Sequence, residues 1–274
     1  MRNFIGLCLL LFSFAKLEAQ ALEGYLDKPV FQLGESVQFN IHFNWGFIWV
    51  HAGDVDFTVE AKRWKGEDVY LLKAVGRTVK TFERMYTIRD TFEAYIDTVS
   101  LLPLYYQEAK HEDRYYGSAT YHYKRGEKKT TVKADFARKT RKWSDTLEID
   151  NNTFDLITTC YRIRNLNIEK LTLNQTIPFP MLFDNEVYAL GLTYKGKETI
   201  KLKNGKKYNA LKFVPKLITG DLFKKEEDMT IYVSDDANRV PLLVEAKIKV
   251  GYIKAMLADV KNTREPMTSV LPKK

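Results

Sequence analysis

Cysteine is nearly absent: the chain has two in 274 residues, and Cys8 lies in an N-terminal apolar run. Once that run is removed, Cys160 alone remains and no internal disulfide can form, so the core alone must hold the fold. Cys160 itself reads as a small buried hydrophobe on a helix. Fourteen glycines and eight prolines are too few for a collagen-like or low-complexity chain. Four histidines, His42, His51, His111 and His122, show no i, i+2 or i, i+4 pair, and His111-Glu112 lacks the second histidine of a zinc-protease helix. The acids Asp235 and Asp236 with Asn238 lack the glycine and distal glutamate of a calcium loop and read as a turn. No Gly-x-Ser-x-Gly elbow, phosphate-binding loop or Gly-x-Gly-x-x-Gly occurs. No metal or cofactor is expected, and an enzyme is the less favoured class.

Long apolar runs are missing too. Phe4 to Ala15 is the longest, at 12 residues, too short to span a bilayer. Arg2 before it and Ala19 and Ala21 after it complete a secretory leader over 1–21, with cleavage after Ala19 or Ala21. Leu7 before Cys8 is too bulky for a lipidation site. The reading is an exported protein, in the periplasm, with no transmembrane segment. Removing residues 1–19 takes away Arg2, Lys16 and Glu18 and leaves a net charge of +7.

What the chain has is period two. Val37, Phe39, Ile41 and Phe43 alternate with Gln38, Asn40, His42 and Asn44; Val240, Leu242, Val244, Ala246, Ile248 and Val250 alternate with Leu243, Glu245, Lys247 and Lys249. Turn signals at Lys65-Gly66, Arg125-Gly126, Asn204-Gly205 and Asp235–Asn238 separate such runs. About a dozen short-linked strands imply one large antiparallel β domain over 22–262, curved into a closed or half-open barrel. One segment, near 153–165, reads as a helix, with Asn152 or Thr153 as its cap and Arg162 and Arg164 in its last turn. Its apolar stripe should cover one mouth of the sheet. The tail 263–274 has no periodicity and reads as disordered.

Several stretches resemble a bacterial family of secreted proteins known as domain of unknown function 3108. They are Gly34-Glu35, Asn44-Trp45-Gly46, Ala52-Gly53-Asp54, Tyr86 and Asp90, Tyr95-Ile96-Asp97, Leu101-Leu102-Pro103, the helix end Tyr161–Arg164, and Ile231–Pro241 followed by Val250-Gly251. The resemblance covers roughly 33–260. It implies an envelope protein, and it implies no activity.

Two features stand out. Lys124, Arg125, Lys128, Lys129, Lys133, Arg138, Lys139, Arg141 and Lys142 give the stretch 124–142 a local excess of +7. Such a stripe attracts phosphate-bearing surfaces, which in an export compartment means lipid head groups or anionic glycans and not nucleic acid; a solvated strand face is the plainer reading. The second is the run Phe43–Val50, apolar on both faces, whose Trp45, Phe47 and Trp49 either pack under a neighbour or line a ligand or partner surface. With Arg164 these are the candidate ligand-binding residues. The leading expectation is a non-catalytic envelope protein holding an amphiphilic, lipid-like ligand. The alternatives are an adaptor docking another envelope protein, and a glycan hydrolase using Asp54 and Asp56.

Overall fold

The computed structural model describes residues 25–26, 28–45, 48–216, 229–248 and 251–272. The leader 1–21 and Phe47 lie outside these residues, as does the side chain of Trp45. The described residues form one antiparallel sheet of fourteen strands: β1 Ser36–Trp45, β2 Ile48–Trp64, β3 Glu67–Thr78, β4 Arg89–Asp97, β5 Pro103–Glu112, β6 Tyr115–Arg125, β7 Lys129–Arg138, β8 Arg141–Asp150, β9 Thr176–Phe183, β10 Glu186–Lys201, β11 Lys207–Lys216, β12 Met229–Ser234, β13 Pro241–Lys247 and β14 Tyr252–Lys261. Their order in the sheet is β8 to β1, then β14 to β9. Every neighbouring pair but one is therefore consecutive in the chain. The exception is β1 with β14, which stitches the two halves together from Ser36↔Lys261 to Asn44↔Tyr252.

The sheet does not close. Its edges are β8 and β9, and no ladder joins them. The gap is spanned instead by one parallel bridge from the segment after β8, Phe154↔Met181, and by two contacts to the β9–β10 turn: Asn185 Nδ2 donates to Asp145 Oδ2 of β8 at 2.8 Å, and Arg138 of β7 pairs with Asp184. Pro178 and Pro180 lie on β9, where missing N–H groups suit an edge. Of the expected barrel, the large antiparallel sheet is found and closure is not.

Alternation builds the core as the sequence indicates. Leu72, Ala74, Ala94, Ile96, Tyr106, Ala119, Tyr121, Val132, Ala134 and Phe136 face inward as one cluster. Val37, Phe39, Leu242 and Leu257 anchor a second, under the β1–β14 stitch. Burying a side chain of the Val, Leu or Phe size stabilises by roughly 1.5–3 kcal/mol. Not all aromatics are inside. Trp64, Tyr95, Tyr105 and His122 pack on the outer face, with Trp64 stacked on Tyr105 at 4.7 Å.

Between β8 and β9 the chain forms α2, Leu156–Arg164, after a four-residue α1, Lys80–Glu83. Ile157, Tyr161 and Arg164, spaced for one face of a helix, are buried, and Tyr161 meets Phe31 edge-on at 4.9 Å. Two helix expectations are corrected. The N-cap is Asp155, which accepts from Thr158 N at 2.8 Å, not Asn152 or Thr153. Cys160 is exposed, because it points about a quarter-turn away from the Tyr161 stripe. The tail is also ordered as far as Pro272: Asn209 N donates to Ser269 O and Leu271 N to Lys207 O. A short backbone-held strap needs no periodicity, so its pattern gave no sign of packing.

Candidate functional site

Hairpin order gives the sheet two distinct ends. The β2–β3, β4–β5, β6–β7, β10–β11 and β12–β13 turns share one with α2; the β1–β2, β3–β4, β5–β6, β7–β8, β9–β10 and β13–β14 turns share the other with α1.

At the α2 end, residues distant in sequence meet in a buried polar knot. Arg164 donates from Nη1 to Glu35 Oε1 at 2.6 Å and from Nη2 to Glu35 Oε2 at 3.0 Å. Nη2 also reaches the Asn238 carbonyl at 3.0 Å. Glu35 is fully buried and Arg164 nearly so. Asn238 in turn accepts from Glu265 N and donates to Glu265 O, pinning the tail. Next door, Asn165 accepts from Val30 N, and its carbonyl from Leu26 N. Three of the stretches that carry the family resemblance, at 34–35, 161–164 and 231–241, thus converge on one contact. The geometry gives Arg164 a tethering part: its fork is filled by Glu35 and Asn238.

Beneath α2 the interior is packed. The space between Phe31, Ile96, Leu101, Thr158, Tyr161 and Arg162 has no volume for even a water molecule. Asp155 is buried there. Burial lifts its carboxyl to about 6, against the hydrogen bonds from Thr158 that favour the anion. Tyr106 donates to Glu108 Oε2 at 2.7 Å, and burial raises its phenol far above the ordinary range.

The α1 end is different. Of the twelve large apolar side chains exposed among the described residues, eight lie there: Ile48, Trp49, Met85, Tyr86, Tyr115, Tyr116, Val187 and Tyr252. Ile48 is 67% and Met85 60% exposed. Most sit on four hairpin tips adjacent in the sheet, from β5–β6 across to β13–β14. The Lys254 ammonium lies 5.0 Å from the Trp49 ring centroid, and Phe43 meets Phe82 of α1 at 6.4 Å. Just inside this rim Asp90 is buried and accepts from His111 N at 3.0 Å. Burial raises the carboxyls of Asp90 and Glu112, and for Glu112 the Asp90 charge adds to it. Gly251, with φ +86°, fits against β1 where a Cβ would sit 2.3 Å from the Asn44 carbonyl; its place in the quoted motif has a steric cause.

The nine cations of 124–142 do not make one stripe. Strand parity turns Arg125, Arg138 and Arg141 to the inner face, where Arg125 reaches the Asn151 carbonyl at 2.7 Å and Arg138 pairs with Asp184. Lys124, Lys133 and Lys142 face outward, with Lys129 paired to Asp150; Lys128 and Lys139 lie in turns. Asp54 and Asp56 share the outer face, but Asp56 pairs with Arg77 at 3.0 Å and Asp54 with His51 at 2.8 Å. A cross-strand pair missed by sequence spacing appears here: His42 stacks on His51 at 5.4 Å. Burial, then the Lys203 charge, lowers the His42 pKa. Among the described residues no group of three or more acids, histidines or cysteines is placed to hold a metal.

The fold defines a class first. The chain is similar to a solved β-barrel-like protein of domain of unknown function DUF1849 from Brucella abortus. The TM-score is 0.54 and the identity 10%, over 85% of this chain and 98% of that one. At that identity the likeness is one of fold. A search of curated proteins finds no match. Residues 38–258 match the family described as protein of unknown function (DUF3108), and the chain belongs to that family. Among the described residues no helix is long and apolar enough to cross a membrane.

Proposed function

We propose that this is an exported, non-catalytic protein of the cell envelope, periplasmic, whose α1 end docks on a lipid surface. The observation that carries the reading is the gathering of exposed apolar side chains on the α1-end hairpin tips. Large exposed apolar patches mark interaction sites. Tryptophan and tyrosine favour the boundary between apolar and aqueous layers, and a lysine over a tryptophan face suits the same boundary. The packing beneath α2 favours contact at the rim over a chain enclosed in that part of the core. Trp49 keeps its assignment as a contact residue; Arg164 becomes a tether.

Co-sedimentation of the processed chain with phospholipid vesicles tests this. Wild type should pellet with vesicles, and Ile48→Ser with Trp49→Ser should stay in solution with an unchanged unfolding midpoint. A wild type that remains in solution refutes lipid docking. If cross-linking in intact cells then traps Trp49 against one specific protein, the adaptor reading takes its place.

A further inference from the structure

We propose that a groove on the outer face beside the α1 end binds a phosphate-bearing head group. The inference rests on the docking reading only for the source of that group. The groove is open to solvent and has a volume of about 420 Å³, room for a small head group at the surface and not for an enclosed ligand. Its floor is a cross-strand file in register: Thr91↔Ala109, Ala109↔Ser118 and Ser118↔Ala137. These residues alternate with inward-facing Phe92, Ala119 and Phe136, which fixes the groove on the outer side. The rim-side wall is Arg89 and Lys139 with Tyr116, whose ring is stacked on His111 at 4.1 Å. Lys139 holds a left-handed turn, φ +47°, and its N–H bonds the Tyr116 carbonyl at 3.3 Å.

The chemistry of the lining is one-sided. No carboxylate lines the groove. Lys110 brings no charge to it, because its side chain turns inward, with its ammonium 2.7 Å from Glu108. Arg89 gives one nitrogen to Glu83 and keeps the rest of its guanidinium. Thr91, Ser118 and Tyr116 supply hydroxyls, and among the described residues neither these nor the Lys139 ammonium has a protein hydrogen-bond partner. Two cations and three hydroxyls around one hollow match a phosphate, which accepts at several oxygens and prefers charged donors. The position fits the docked orientation: with the apolar tips at the acyl boundary, this groove stands one strand-row back, at head-group depth.

The test titrates the full processed chain with inorganic phosphate, with glycerol 3-phosphate, and with vesicles of phosphatidylglycerol or phosphatidylcholine. Saturable binding of glycerol 3-phosphate is expected, together with tighter binding to phosphatidylglycerol vesicles. Arg89→Gln with Lys139→Gln should weaken both at least tenfold. Ala109→Leu, which fills the floor, should do the same. Lys124→Gln with Lys133→Gln, on the same face but outside the groove, should change either by less than twofold. Saturable binding of inorganic phosphate alone would support the groove and assign it a free anion. The proposal is overturned if no phosphate compound saturates and phosphatidylglycerol has no advantage, or if the control pair weakens binding as much as the groove pair. Ile48→Ser with Trp49→Ser separates the two readings: it should abolish vesicle binding and leave glycerol 3-phosphate binding intact.

Discussion

Arg164→Met should cost about 3–5 kcal/mol, the usual penalty for leaving one partner of a buried ion pair alone. The structure sets that size. Glu35 is fully buried, both its oxygens accept from the same guanidinium, and the Asn238 carbonyl loses its donor as well. A domain of this kind has a total stability of roughly 5–15 kcal/mol, so the loss is a large share of the whole. Urea unfolding of the processed chain, followed by tryptophan fluorescence, reads it as a drop in midpoint at constant slope. Arg164→Lys, which keeps the charge but not the fork, should fall between wild type and Arg164→Met. The double variant Glu35→Leu, Arg164→Met removes both charges and should recover at least 2 kcal/mol relative to the sum of the single variants. If Arg164→Met costs less than about 1 kcal/mol, or if the losses simply add, then the knot does not hold helix, strand and tail together.

Asp155→Asn should change the pH dependence of stability. Burial raises the carboxyl to about 6 in the folded state, above the 3.8 usual for an exposed aspartate, so its protonated form is favoured on folding. That stability is complete below about 3.8 and is lost as pH rises through about 6, to the extent of about 3 kcal/mol. The amide can still cap Thr158, so the variant should flatten the profile between pH 4 and pH 7; an unchanged slope refutes the assignment. Cys160 should react with a maleimide in the native protein much more slowly than a free thiol, because burial pushes its thiol up to about 11 although part of the side chain reaches solvent; labelling at the free-thiol rate would contradict that. Gly251→Ala should lower the unfolding midpoint through its clash with the Asn44 carbonyl, and a neutral result would mean that β1 and β14 part there without cost.

Much of the fold was legible because each strand buries one face. The runs at 37–43 and 240–248 are β1 and β13 with their approach, and the turn signals at 65–66, 125–126, 204–205 and 235–238 all separate strands. Non-closure was not legible, since period two is the same for an edge strand and a central one. The basic stretch does not form one surface, because alternation along β6, β7 and β8 sends Arg125, Arg138 and Arg141 inward. The exposed tips at Ile48 and Trp49 were visible as a run with no polar face; Met85, Tyr86 and Tyr252 join them only through sheet order. The stack of His42 on His51 comes from the cross-strand pairing of β1 with β2, which linear spacing does not contain. The motif residues Glu35, Arg164 and Asn238 stand in separate stretches of the sequence, and their meeting depends on long-range geometry.

Quenching of tryptophan emission by vesicles carrying brominated acyl chains tests lipid docking most directly. The account predicts quenching of the wild type that is strongest for bromines placed shallowly, and much weaker quenching for Trp49→Phe. Emission unaffected by brominated lipid in the wild type, at vesicle concentrations where a known interfacial helix is quenched, would contradict it.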